Sequence, residues 1–153
     1  MPQRILTLED LLAWAMARDL ALNIELKDQH EPRANERLAA AVTRLVRAAD
    51  AGQRVVLSCF NHAVLRVCRG LAPEIAIAAL QEDGPPPDLV AYLRTLGACA
   101  YHPADALVDE ALIRVLRAGG LHVNVFTVND PARQRELFAW GATGVFTDWV
   151  EPA

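Results

Sequence analysis

No run of Lys and Arg interrupts the acidic balance of this chain, which carries 15 basic against 19 acidic side chains and a formal net charge of -4. Without a basic stripe there is no electrostatic footprint for a phosphate backbone, and a nucleic-acid surface is excluded. No apolar stretch is long enough to span a bilayer. The opening Met1-Pro2-Gln3-Arg4 leads straight into an amphipathic segment, without the apolar core and small-residue cleavage site of a secretory signal, so a cytoplasmic location is expected. Cysteine is scarce: Cys59, Cys68 and Cys99 are odd in number and lack Cys-x-x-Cys spacing, which speaks against a disulfide framework and a zinc site. They read as small core residues. Only Cys59 ends an apolar strand beside a plausible site, and a nucleophilic role there needs a neighbouring base that the sequence does not identify.

What the chain does have is apolar bulk and a strong rhythm. At 153 residues, 53% hydrophobic and 22% charged, it is long enough for a single domain, 1–153, with a substantial core. Leu8, Leu11, Leu12, Ala15 and Met16 recur at helical spacing behind Thr7, a good cap. A second amphipathic helix is predicted over 34–49, a third over 62–69 between Asn61 and Gly70, and a fourth from Asp88 to Gly97. Two more follow, one over 109–118 before Gly119-Gly120, the other running from Asn129-Asp130-Pro131 to Gly141. Strand candidates lie between them, beginning near residues 21, 54, 74, 98, 122 and 144, the fifth spanning Leu121 to Val128.

Strand and helix in regular alternation is a βα repeat, in which right-handed crossovers make the strands parallel and bring their C-terminal ends to one rim. On that rim the sequence places Glu25, Lys27, Ser58, Asn61, His102, Phe126, Asn129 and Asp148. Rims of this kind carry the active sites of α/β folds. A doubly wound sheet and a (β/α)8 barrel share the rhythm. The loop after Lys27 contains no glycine, which weakens the dinucleotide-binding reading.

The most informative stretch is Leu22-Asn23-Ile24-Glu25-Leu26-Lys27. Alternation along a strand puts Asn23, Glu25 and Lys27 on one face and the apolar residues on the other. If both faces are covered, the polar one is buried or lines a cleft. A carboxylate there needs a cation, and Lys27, another basic group or a metal could supply it. His30, His62 and His102 are rim candidates for proton transfer, while His122 begins a strand and belongs at the opposite end. Asp148 is either a site carboxylate or a local cap. Tyr101 reads as a packing residue.

Five segments in register carry a family resemblance: residues 6–12 (Leu-Thr-Leu-Glu-Asp-Leu-Leu), 23–27 (Asn-Ile-Glu-Leu-Lys), 57–60 (Leu-Ser-Cys-Phe), 123–129 (Val-Asn-Val-Phe-Thr-Val-Asn) and 144–148 (Gly-Val-Phe-Thr-Asp). Together the chain resembles the bacterial glycerophosphodiester phosphodiesterase family. The resemblance implies an α/β fold, a partial (β/α)8 TIM-type barrel of about six parallel strands with outer helices. It implies metal-dependent hydrolysis of glycerophosphodiesters to glycerol 3-phosphate and an alcohol. It also implies Glu25 as a ligand of a divalent cation, magnesium or calcium, Lys27 near the substrate phosphate, and Phe126 at the substrate mouth where the family usually has tryptophan. Cys59 stands where serine is usual.

The resemblance begins partway along the family pattern. Its His-Arg-Gly strand, Glu-x-Asp pair and later His-Asp have no counterpart here, so the expectation is that this chain alone is impaired or inactive. The alternative is a non-catalytic, phosphate-binding or interaction module of the same fold. The expected partners are a glycerophosphodiester-type small molecule and, because a partial barrel has open edges, either a second copy or a segment carrying the absent elements.

Overall fold

The computed structural model describes residues 5–149, so the Met1–Arg4 opening lies outside the described residues. Helices and strands alternate in the order α1 (Leu8–Met16), β1 (Leu22–Glu25), α2 (Pro32–Ala48), β2 (Val55–Cys59), α3 (His62–Leu71), β3 (Ala76–Gln81), α4 (Leu89–Leu96), β4 (Ala100–Pro103), α5 (Glu110–Ala118), β5 (His122–Val125), α6 (Pro131–Trp140) and β6 (Gly144–Val145). A short 3-10 turn, Asp105–Leu107, follows β4. The strands are ordered β1 to β6 as in the sequence, and the paired strands run parallel. This is the α/β topology of a partial TIM-type barrel, as expected from the repeat.

Side-chain caps set the starts of the helices. Thr7 Oγ1 accepts from the Asp10 N–H at 3.2 Å, Asn61 caps α3 through the Ala63 N–H at 3.0 Å, and Asp109 caps α5 through the Leu112 N–H at 2.8 Å. At α4 both expected ends are present: Asp88 accepts from the Ala91 N–H, and Gly97 closes the helix at φ 73°, a left-handed conformation suited to glycine. Asp130 with Pro131 opens α6.

Three boundaries differ from the sequence expectation. Helix α2 begins at Pro32 because Glu31 itself is the cap, accepting from the N–H groups of Arg33 and Ala34 at 2.9 and 2.6 Å. Helix α3 runs through Gly70 to Leu71, and a Cβ at Gly70 would meet nothing within 4 Å, so no close approach requires the glycine there. Strand β5 ends at Val125 rather than Val128. There Phe126 leaves the β6 ladder and bridges Ala104, donating to Pro103 O at 3.0 Å and accepting from the Asp105 N–H at 2.8 Å.

The chain divides into two compact units, Met1–Ile77 and Ala78–Ala153. In the first, Leu12 and Ala15 of α1, Ala39 and Val46 of α2, Leu57 of β2 and Leu65 of α3 are buried, and Ile24 lies in register with Leu57. In the second, Leu93, Tyr101, Ile113, Leu116, Val123 and Leu137 form the buried set. Helices α2 to α5 each contribute an apolar stripe to such a core, while α6 buries Leu137.

Candidate functional site

The C-terminal end of β1 gathers the polar groups of the first unit. Glu25, the last residue of β1, and Lys27, two residues beyond it, meet directly: Lys27 Nζ donates to Glu25 Oε1 at 2.6 Å. Of the three cations open to Glu25 from sequence, the structure supplies Lys27. The face they share is neither buried nor cleft-lining throughout, since Asn23 is exposed and the Lys27 side chain is 75% exposed against 30% for Glu25. Strand β1 has its apolar face on the core and its polar face toward solvent, so the pair is a solvated one, worth about 0–1 kcal/mol to stability. Its ammonium remains accessible to an anionic oxygen.

Just beyond the strand, Asp28 is fixed by three donors. Asn35 Nδ2 donates to Asp28 Oδ1 at 2.7 Å, the His30 N–H to the same oxygen at 3.0 Å, and Asn61 Nδ2 to Oδ2 at 3.1 Å. These hydrogen bonds, that from Asn35 foremost, hold the Asp28 carboxyl below its ordinary range. Asn35 is 7% exposed and its Oδ1 accepts from the Gln29 N–H at 2.9 Å, so one amide ties the β1 loop to α2. A cleft of about 380 Å³ opens here, lined by Asp28, His30, Glu31, Asn35, Glu36 and Asn61. Sequence reading picked Asn61 and His30 from this group but passed over Asp28 and Asn35. An Asn in the first turn of an amphipathic helix, on the face that its apolar residues share, was the available signal.

Strand β2 contributes Ser58, in register with Glu25 and fully buried. Cys59 is also fully buried, and burial pushes its thiol up to about 11. A thiol so far from ionisation at neutral pH is a core residue, not a nucleophile.

In the second unit His102 lies within β4, 1% exposed, with the Phe146 ring edge-on at 5.1 Å. Its Nε2 is 3.0 Å from Asn124 Nδ2, while Asn124 Oδ1 accepts from Thr143 Oγ1 at 2.8 Å. That chain makes the Asn124 amide a donor to Nε2, which places the imidazole proton on Nδ1. Protonating Nε2 would set donor against donor. Burial accordingly lowers the His102 pKa from 6.5 to about 4. The expected rim proton carrier is instead a neutral core histidine. Tyr101 is fully buried, its hydroxyl pushed up to about 12 by burial. Asp148 is bonded to Asn129, 19 positions earlier in the chain, accepting from its Nδ2 at 2.8 Å while the Asp148 N–H donates to Asn129 Oδ1 at 2.9 Å. Phe126 is half-buried after β5.

The depressed His102 pKa has a measurable consequence. Above pH 6.5 the imidazole is neutral in both folded and unfolded chains and costs nothing. As pH falls toward about 4 the unfolded chain binds a proton that the folded one refuses, so stability declines across this window by about 3 kcal/mol. Urea midpoints at pH 7, 5.5 and 4 should show the decline, and His102→Gln should flatten it. An identical pH slope in the variant would remove His102 as the cause.

The implied cation can be tested against the donors present. Among the described residues no group of three or more His, Cys, Asp and Glu side chains converges as a metal-holding set. Glu25 is occupied by an ammonium and Asp28 by three N–H donors, whereas magnesium or calcium needs six or more oxygens. Glu25 could provide one ligand, and the described residues do not complete the shell.

The family model for the Glycerophosphoryl diester phosphodiesterase family matches residues 1–151. Protein YqiK of Bacillus subtilis (strain 168) is 37% identical over 151 residues, covering 95% of this chain and 60% of that protein. A glycerophosphodiester phosphodiesterase of Bacillus altitudinis is 30% identical over 152 residues, with the same two coverages, 95% and 60%. An Oleispira antarctica phosphodiesterase, solved in complex with the product sn-glycerol-3-phosphate, shares the fold with a TM-score of 0.79 at 24% identity, covering 92% of this chain and 56% of that one. The chain thus spans 60% of the length of the curated relatives it matches.

Proposed function

Because the chain belongs to the glycerophosphoryl diester phosphodiesterase family, we propose that it takes part in metal-dependent hydrolysis of glycerophosphodiesters to glycerol 3-phosphate and an alcohol. In this reading it presents one carboxylate and one ammonium, Glu25 and Lys27, and turns nothing over by itself. The observation that carries the reading is the 2.6 Å Glu25–Lys27 pair held on two adjacent outward positions at the C-terminal end of β1.

Each group has a defined part. Hydrolysis of a phosphodiester puts negative charge on the nonbridging and leaving oxygens, and an accessible lysine stabilises that charge. Lys27 can exchange Glu25 for a phosphate oxygen at little cost, because the pair is solvated and weak. Glu25, once released, is a hard-oxygen donor suited to magnesium or calcium, to be joined by carboxylates from elsewhere. Phe126 is carried as a substrate-contacting aromatic by the family resemblance. The remaining ligands and the acid/base histidines come from an associated segment with the family's His-Arg-Gly, Glu-x-Asp and His-Asp elements.

The test is release of glycerol 3-phosphate from a glycerophosphodiester in magnesium or calcium, by the chain alone and after mixing with a polypeptide that bears those elements. No release by the chain alone and cation-dependent release by the mixture are expected. Absence of release from a well-folded mixture would overturn the hydrolase reading in favour of a non-catalytic module of the same fold.

A further inference from the structure

Strand β2 reads Val-Val-Leu-Ser-Cys over residues 55–59, four side chains of apolar character and one hydroxyl. That hydroxyl is in a costly place. Ser58 is fully buried, and its Oγ has no hydrogen-bond partner. A buried hydroxyl has lost its water and here finds no replacement, so alanine would suit the packing of β2 better. Its neighbour is a carboxylate. Ser58 is in register with Glu25 of β1, and the Leu26 N–H donates to Ser58 O at 2.7 Å, which fixes the row. Residues in register on parallel strands point to the same face, on strands about 4.8 Å apart, within reach of a carboxylate carried on two methylenes. In this structure the Glu25 carboxylate takes its hydrogen bond from Lys27 instead, and among the described residues it has no second donor.

We propose that Ser58 is a positioning residue for Glu25: when Lys27 leaves the carboxylate for a phosphate oxygen, Glu25 swings onto the Ser58 hydroxyl, which donates to it and holds it at the end of β1. The proposal rests on the exchange of Lys27 put forward above. Without a second donor that exchange would leave a carboxylate unpaired and free to turn through several rotamers. Ser58 supplies a donor already stripped of water, so the new bond costs no further desolvation of the hydroxyl, and its acceptor is ionised, which strengthens it. With Lys27 on Glu25 the hydroxyl goes unpaired; with Lys27 on phosphate every group has a partner. Loss of the ion pair is thereby offset, which favours the phosphate-bound arrangement. Being buried, Ser58 touches no substrate in this arrangement and acts only through Glu25.

Lys27→Met imitates departure of the ammonium, and because that side chain is 75% exposed the variant should fold. Thermal melts of the full chain as parent, Ser58→Ala, Lys27→Met and the double variant form a cycle. Ser58→Ala should leave the parent melting temperature unchanged or higher, and should lower that of Lys27→Met by about 2–4 °C. In a chain carrying both Lys27→Met and Glu25→Ala the same substitution should again cost nothing, because the acceptor is gone. A merely structural serine would lose the same amount in every background. An equal effect in the three backgrounds, or a loss that survives Glu25→Ala, would therefore overturn the proposal. In the chain combined with the family's remaining catalytic elements, Ser58→Ala should lower kcat about fivefold, the rate equivalent of one hydrogen bond, and leave KM alone. An unaltered kcat would overturn it too. If the parent combination releases no glycerol 3-phosphate, the hydrolase reading fails and the melting cycle alone decides the role of Ser58.

Discussion

Glu25→Gln, introduced into the chain combined with the family's remaining catalytic elements, is expected to lower glycerol 3-phosphate release by about 10²–10³-fold, the usual loss when one preorganised electrostatic contact is removed. Glutamine keeps the shape and one oxygen of the carboxylate but not its charge, so the cation concentration needed for half-maximal rate should rise as well. Lys27→Met should behave differently, lowering kcat/KM with no change in the cation requirement, because its proposed partner is the phosphate. Neither variant should unfold the chain, since the 2.6 Å pair is solvated and contributes little to stability. Rates and cation titrations of the two variants, with thermal melts as controls, decide the matter. A Glu25→Gln enzyme with ordinary rate and ordinary cation requirement would remove Glu25 from the site.

The largest stability effect is expected at Leu57. It is fully buried in β2, in register with Ile24 of β1, so truncation leaves a hole that the neighbouring strands cannot close. Leu57→Ala should cost about 2.7–5 kcal/mol, the sum of lost transfer free energy and residual cavity. With a urea dependence of about 1–3 kcal/mol per molar, the midpoint should fall by about one molar or more. Ile5→Ala, at a position 92% exposed, is the matched control and should move the midpoint hardly at all. A small shift for Leu57→Ala would mean that β2 is not packed as described.

The strained-looking exception among the caps shows how far local chemistry governs this fold. Asp88 adopts φ 48° and still caps α4, and Gly97 at the other end takes φ 73°. Both ends could be recognised from residue type alone, because a cap is satisfied by backbone groups two to four residues away. The same holds for Thr7, Asn61, Asp109 and the Asp130-Pro131 pair. At β5 the deciding group came from outside the window. Strand β5 stops early because Phe126 bonds to Pro103 and Asp105, more than twenty positions away in sequence.

The candidate site divides along the same line. Glu25 and Lys27 were legible because strand alternation alone puts them on one face, and the family resemblance gave each a role. That Lys27 is the ion partner, and that the pair is solvated, depended on which side of β1 is packed. His102 looked like a rim histidine by position. Only the packing of Phe146 and the Asn124–Thr143 chain makes it neutral and internal. Asp28 and Asn35 are seven residues apart across a loop and a helix start, and no periodicity links them until the loop folds back. By itself, then, the sequence determined the alternation of elements, most of their caps and the family, all properties of short-range pattern. The tertiary structure alone decided which charges are paired, which histidine is buried and which hydroxyl is left without a partner, because burial and partnership are set by residues distant in the chain.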